Sequence, residues 1–115
     1  MSRSRTTTDK AARPKRLAPK RLAPIHPGEI LAEDLQDAGI SLNLLARSLR
    51  VPMNRISAIV NGKRSITAGT AMRLARYFGT SSEYWMNLQL AYDLAAAERA
   101  TREQVDREVL PRHAA

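Results

Sequence analysis

Between Leu42 and Gly79 the chain carries seven bases (Arg47, Arg50, Arg55, Lys63, Arg64, Arg73 and Arg76) and no acid. A stretch whose cations have no carboxylates among them is a candidate face for a polyanion. Within it, Met53, Asn54, Arg55 and Ser57 follow a proline in close succession. An asparagine amide matches the paired groups on an adenine edge, a guanidinium those on guanine, and a methionine side chain a thymine methyl. These four are the candidate base readers. Asn43 and Arg47 on one side, with Asn61, Lys63 and Arg64 on the other, are candidate holders of phosphate that would set the register. Arg73 and Arg76 read as solvated helix charges.

Other chemistry finds little to work with. The chain has no cysteine, which removes disulfides, thiolate metal sites and cysteine nucleophiles and fits a reducing, cytoplasmic setting. Its two histidines, His26 and His113, stand at opposite ends with no metal-ligand spacing, so neither a cofactor nor a metal is expected. Glu29, Glu33 and Asp37 recur at four-residue steps and superficially suggest paired carboxylates. Without a histidine, cysteine or glycine loop nearby, they read as a solvated acidic face or as a docking surface for a basic protein. No apolar run approaches the roughly 20 residues needed to cross a bilayer, and no signal peptide opens the chain. No catalytic residue is expected.

At 115 residues with a net charge of +8, the chain has room for one domain and an appended tail. Residues 1–24 hold eight bases against Asp9 alone and contain the tandem repeat KRLAP-KRLAP. Little there can offset the entropy of ordering, so a flexible basic arm is expected, either a solubilising tail, a source of phosphate contacts or a segment that orders on a partner. Residues 25–41 carry four acids and no base. The divisions expected are the arm at 1–24, a folded domain at 25–110 and a tail at 111–115.

The elements that must position the readers follow from apolar spacing. Ile30, Leu31, Leu35 and Ala38 mark one helical face, with His26 as a capping or packing residue and Gly39 as the stop. Ser41 caps a second helix carrying Leu42, Leu45, Ala46 and Leu49. The joint Val51-Pro52 precedes a third helix from Pro52 to about Asn61, burying Ile56, Ile59 and Val60, with Gly62 after it. Thr67 caps a fourth helix with Ala71, Leu74, Ala75 and Phe78 inside, and Gly79 ends it. Thr80 and Glu83 form a capping box for a long fifth helix. Trp85, Leu88, Tyr92 and Ala95 line its inner side, as core or dimer contacts together with Tyr84. Pairs Glu98–Arg102 and Glu103–Arg107 extend it toward Val109. No window alternates with period two, so the fold class expected is all-α.

Two short helices joined by a tight turn, with Leu45, Ala46, Leu49, Val51, Ile56 and Ile59 at the offsets where steeply crossing helices touch, have the layout of a helix-turn-helix. Arg50 is one departure, standing where the motif usually has a left-handed glycine, at a cost of about 1 kcal/mol. The stretches HPGEILAEDL, NGKRSIT and FGTSSEYWMNLQ then carry a resemblance over residues 25–95 to the HigA-type antitoxins, a branch of the Xre-like (lambda-repressor-like) helix-turn-helix family. That resemblance implies a five-helix lambda-repressor-like domain. It also implies a homodimer on a palindromic double-stranded DNA operator that represses its own operon and neutralises a RelE/HigB-like, mRNA-cleaving toxin. The alternatives are a free-standing Xre-type transcriptional regulator without a toxin, and a protein-interaction module whose basic segment meets an acidic partner. The fifth helix is expected at the dimer axis, and the first helix and the arm near the toxin.

Overall fold

A computed structural model describes residues 23–113 and contains, among them, five α-helices and no strand. They are α1 (Pro27–Ala38), α2 (Leu42–Leu49), α3 (Met53–Val60), α4 (Ala68–Phe78) and α5 (Ser82–Glu108). Residues 1–22 of the expected arm and 114–115 of the expected tail lie outside the described residues.

Local chemistry sets each boundary. The Ser41 hydroxyl accepts the Leu44 N–H at 3.0 Å, and the Thr67 hydroxyl accepts that of Thr70 at 3.4 Å. Gly39 and Gly79 close α1 and α4 in the left-handed region, with φ of 69° and 73°. At the start of α1, His26 Nδ1 accepts the Gly28 N–H at 2.8 Å while Glu29 Oε2 accepts the His26 N–H at 3.4 Å, a reciprocal box that satisfies two otherwise unpaired donors. The His26 ring is buried and meets Tyr92 edge-on, with centroids 4.7 Å apart, so the cap of α1 is also a contact with α5.

One start differs from expectation. The Thr80 hydroxyl does not cap α5, because it accepts the indole N–H of fully buried Trp85 at 2.8 Å. A buried indole donor needs a partner, and Ser81, one residue on, becomes the cap by accepting the Tyr84 N–H at 3.0 Å.

The core joins Leu31 and Leu35 of α1, Leu45, Ala46 and Leu49 of α2, Ile56 and Ile59 of α3, Ala71, Leu74 and Ala75 of α4, and Trp85 of α5, with Val51 and Ile66 from the connections. Each large aliphatic side chain removed from water contributes about 1.5–3 kcal/mol. Ala38 and Val60 depart from their expected burial, the first exposed and the second half-buried at the edge of the core. Gly28 is where α1 and α3 approach most tightly, since a Cβ there would overlap the Ile59 carbonyl. Beyond Ala97 most of α5 is exposed; Arg102 bridges Glu98 at 2.9 Å and Asp106 at 3.2 Å. The expected Glu103–Arg107 pair does not form, as Arg102 takes the neighbouring acids on its own face.

Candidate nucleic-acid interface

The α2–α3 joint is held by three interactions. Arg50 adopts φ 61° and ψ 44°, the single non-glycine residue with positive φ among those described. Its left-handed turn lets the Val51 N–H reach the Ala46 carbonyl at 3.1 Å, which closes α2 and sends the chain steeply into α3. Arg73, from α4, donates through Nη1 to the Leu49 carbonyl at 2.9 Å, a carbonyl that α2 itself leaves unpaired. A cation at a helix C-terminus also meets the negative end of its dipole. Arg73, read from the sequence as a solvated charge, therefore fastens the turn. Ala46 is 3% exposed, as a steep crossing over it requires.

This joint presents α3 with Ile56 and Ile59 fully buried and its first turn outward. Met53 is 42% exposed and Asn54 is exposed beside it. Arg55 and Ser57 are half-buried, and Arg55 Nε is buried without a hydrogen-bond partner. Ser57 is engaged within the protein, its hydroxyl accepting from Asn61 Nδ2 at 3.4 Å. That bond joins an expected base reader to an expected phosphate holder. Unlike the other four helices, α3 has no side-chain cap, so Pro52 leaves its first amides open at an exposed end.

After α3, Gly62 turns at φ 76°, and Lys63 donates its N–H to the Ala58 carbonyl at 2.8 Å. Lys63 and Arg64 emerge exposed just past α3, and Asn43 and Arg47 are exposed on α2. The structure thus puts Met53, Asn54, Lys63, Arg64, Asn43 and Arg47 at the surface of α2, α3 and the loop after it. Arg55 and Ser57 stand partly inward.

A residue missed from the sequence supports this loop from behind. Gln89 is 4% exposed, and its Oε1 accepts the buried Ile66 N–H at 2.8 Å while its Nε2 donates to Asp93 at 2.9 Å. Its position four residues after Trp85, on the inner face of α5, was the available signal. It orders the segment that runs from Lys63 into α4.

The family model for the helix-turn-helix matches residues 31–85, the span from α1 to the start of α5. An addiction module antidote protein of the HigA family from Coxiella burnetii is 52% identical, superposes with a TM-score of 0.74, and matches over 79% of this chain and 100% of its own. The chain belongs to the HigA family of helix-turn-helix proteins.

Two further relatives agree with the assignment. The Pseudomonas aeruginosa antitoxin HigA, solved with the higBA promoter, is 47% identical at a TM-score of 0.73, over 76% of this chain and 97% of its own. Virulence-associated protein I of Dichelobacter nodosus is 53% identical over 76 residues, or 65% of this chain and 70% of that protein. As a HigA-family protein the chain is a helix-turn-helix regulator of the DNA-binding class rather than an enzyme. Among the described residues, no helix is long and apolar enough to cross a membrane.

Proposed function

We propose that this HigA-family chain is a dimeric, operator-binding antitoxin of the cytoplasm that represses its own operon and neutralises a RelE-like, mRNA-cleaving toxin. The observation that carries the reading is the outward first turn of α3, with Met53 and Asn54 exposed at its uncapped end, beside Lys63 and Arg64. The related Pseudomonas aeruginosa HigA, solved with promoter DNA, supports it from outside the chain. In this reading Met53, Asn54, Arg55 and Ser57 contact base edges, Ser57 through a face it shares with Asn61. Asn43, Arg47, Asn61, Lys63 and Arg64 hold phosphates.

One such module reads too little groove for tight specificity, so two copies with reading helices about 34 Å apart would bind an inverted repeat. Leu90 and Leu94, one helical turn apart on α5 and 55% and 58% exposed, offer an apolar face for that pairing. A toxin that acts on RNA is expected to be basic, and the α1 face bearing Glu29, Glu33 and Asp37 suits it. The domain division follows: a basic arm at 1–24, the DNA-binding domain at 25–110 and a short tail at 111–115.

The test is a titration at near-physiological salt against the chain's own upstream promoter and a scrambled duplex. A preference of about a thousandfold or more, at two protomers per site, is the expected result. Equal, weak and salt-sensitive binding to both would overturn operator recognition. Co-purification of a small basic protein encoded beside this chain, with loss of its RNA cleavage on mixing, tests the antitoxin half and separates it from a free-standing regulator.

A further inference from the structure

A second surface lies away from the candidate readers. Between the C-terminal end of α2 and the outer side of α4 runs an open groove of about 440 Å³, with Met72 and Tyr77 as its apolar floor and Arg50, Arg73 and Arg76 at its edges. Met72 is 63% exposed and Tyr77 37%. The segment that builds it, 42–79, contains no acid. An occupant that satisfies both features must bring apolar side chains and carboxylates together.

The far end of α5 has that composition. Asp106 and Glu108 stand beside Val105, Val109 and Leu110, which are 38%, 63% and 80% exposed. The chain's own copy of this segment cannot reach the groove. The Ile66–Gln89 hydrogen bond puts the beginning of α4 level with Gln89. From Gln89 to Val109 the helix and its last residue advance about 30 Å along the axis, at about 1.5 Å per residue. All of α4 lies on the other side of that level, folded back toward Ser82.

We propose that the groove between α2 and α4 receives the C-terminal segment Val105–Leu110 of a second copy of this chain. The inference rests on the dimer reading above and names the surface it uses. When two α5 helices cross antiparallel at Leu90 and Leu94, residues beyond position 92 of one copy lie beside those the same distance before it in the other. Val105–Leu110 of one copy then falls at the level of residues 74–79 of its partner, where α5 has not begun and the last turn of α4 presents Arg76 and Tyr77. Val109 and Leu110 cover Met72 and Tyr77, and Asp106 and Glu108 face Arg50 and Arg76. By two-fold symmetry the contact is made twice.

The native absence of cysteine makes a direct test clean. Protein carrying Met72→Cys is mixed with protein carrying Val109→Cys under mild oxidation, and disulfide-linked heterodimer is followed against a control mixture of Asp37→Cys with Val109→Cys. Crosslinking roughly tenfold or more faster than the control is expected. In sedimentation equilibrium, Arg76→Glu weakens self-association by roughly tenfold or more, and Glu108→Arg in the same chain restores much of the loss. A chain that remains dimeric and bound to its operator, yet crosslinks no faster than the control, overturns the groove assignment and leaves the dimer reading intact. A chain that sediments as a monomer at micromolar concentration overturns both.

Discussion

The Ile66 N–H and the Gln89 side chain meet at 2.8 Å across 23 positions, both buried, and this bond holds the entrance to α4 against α5. Gln89→Leu keeps the volume and removes the acceptor, leaving a buried backbone donor unpaired. A loss of about 1–3 kcal/mol is expected in urea unfolding. Because the same segment carries Lys63 and Arg64, hydrogen exchange at 63–67 should rise in parallel; unchanged protection there would show that the loop is ordered by something else.

Gly28→Ala tests the tightest helix contact. A methyl group there overlaps the Ile59 carbonyl, a backbone atom that cannot swing aside. Overpacking of this kind costs about 1–3 kcal/mol. Gly69 offers the control, since nothing lies within 4 Å of a Cβ built there and its conformation is helical. Gly69→Ala should stabilise by about 0.5–1 kcal/mol, so that the two melting temperatures move in opposite directions.

His26 serves as a cap and as a ring contact, and two substitutions separate these roles. His26→Asn keeps a capping acceptor and loses the edge contact with Tyr92, at a cost of about 0.5–1.5 kcal/mol. His26→Ala loses both and falls by about a further 1 kcal/mol. Equal losses for the two variants would show that the cap contributes nothing.

For the proposed interface, Asn54→Ala should cost about 1–3 kcal/mol on the operator and little on a scrambled duplex. Lys63→Ala should weaken both duplexes alike and reduce the salt slope by about 1. Affinity measured on each duplex at several salt concentrations distinguishes a base reader from a phosphate holder. If Asn54→Ala weakened both duplexes equally, its assignment would fall.

The exposed part of α5 has a pH dependence of defined sign. Its hydrogen bond to Arg102, then the charge of Arg102, hold the Glu98 carboxyl below the ordinary glutamate value. A carboxyl lowered in the folded chain adds stability above its unfolded pKa, and that contribution is lost as pH falls through the folded value. Helical circular dichroism should therefore decline slightly on acidification below about pH 4.5, and Glu98→Gln should remove that part of the decline. The pair is fully exposed, so the effect shrinks at high salt.

Helix positions and the inward residues were legible because they rest on local chemistry. Apolar spacing, Ser41, Thr67, Gly39 and Gly79 act within a few residues of one another, and the spacing around Ala46 is particular to a steep crossing. What escaped depends on contacts distant in sequence. Thr80 has the right type and spacing to cap α5, but the buried indole of Trp85 claims it. Arg73 looks like a surface charge until the fold brings it to the Leu49 carbonyl, 24 positions away. Ser57 and Asn61 were read for separate roles, and their hydrogen bond appears only once α3 and the residue after it are in place. The exposed readers Met53 and Asn54 followed from helical rotation alone. The half-burial of Arg55 and Ser57 needed the packing of α3 against α1.

Trp85 is the chain's one tryptophan and is fully buried, donating to Thr80 and flanked by Phe78 and Tyr84 at ring distances of 6.0 and 5.0 Å. Its fluorescence is therefore a label-free reporter on the seam between α4 and α5. Emission that stays blue while other signals change identifies an event confined to the surface, and a red shift marks water entering the core. A single cuvette can then tell association from unfolding.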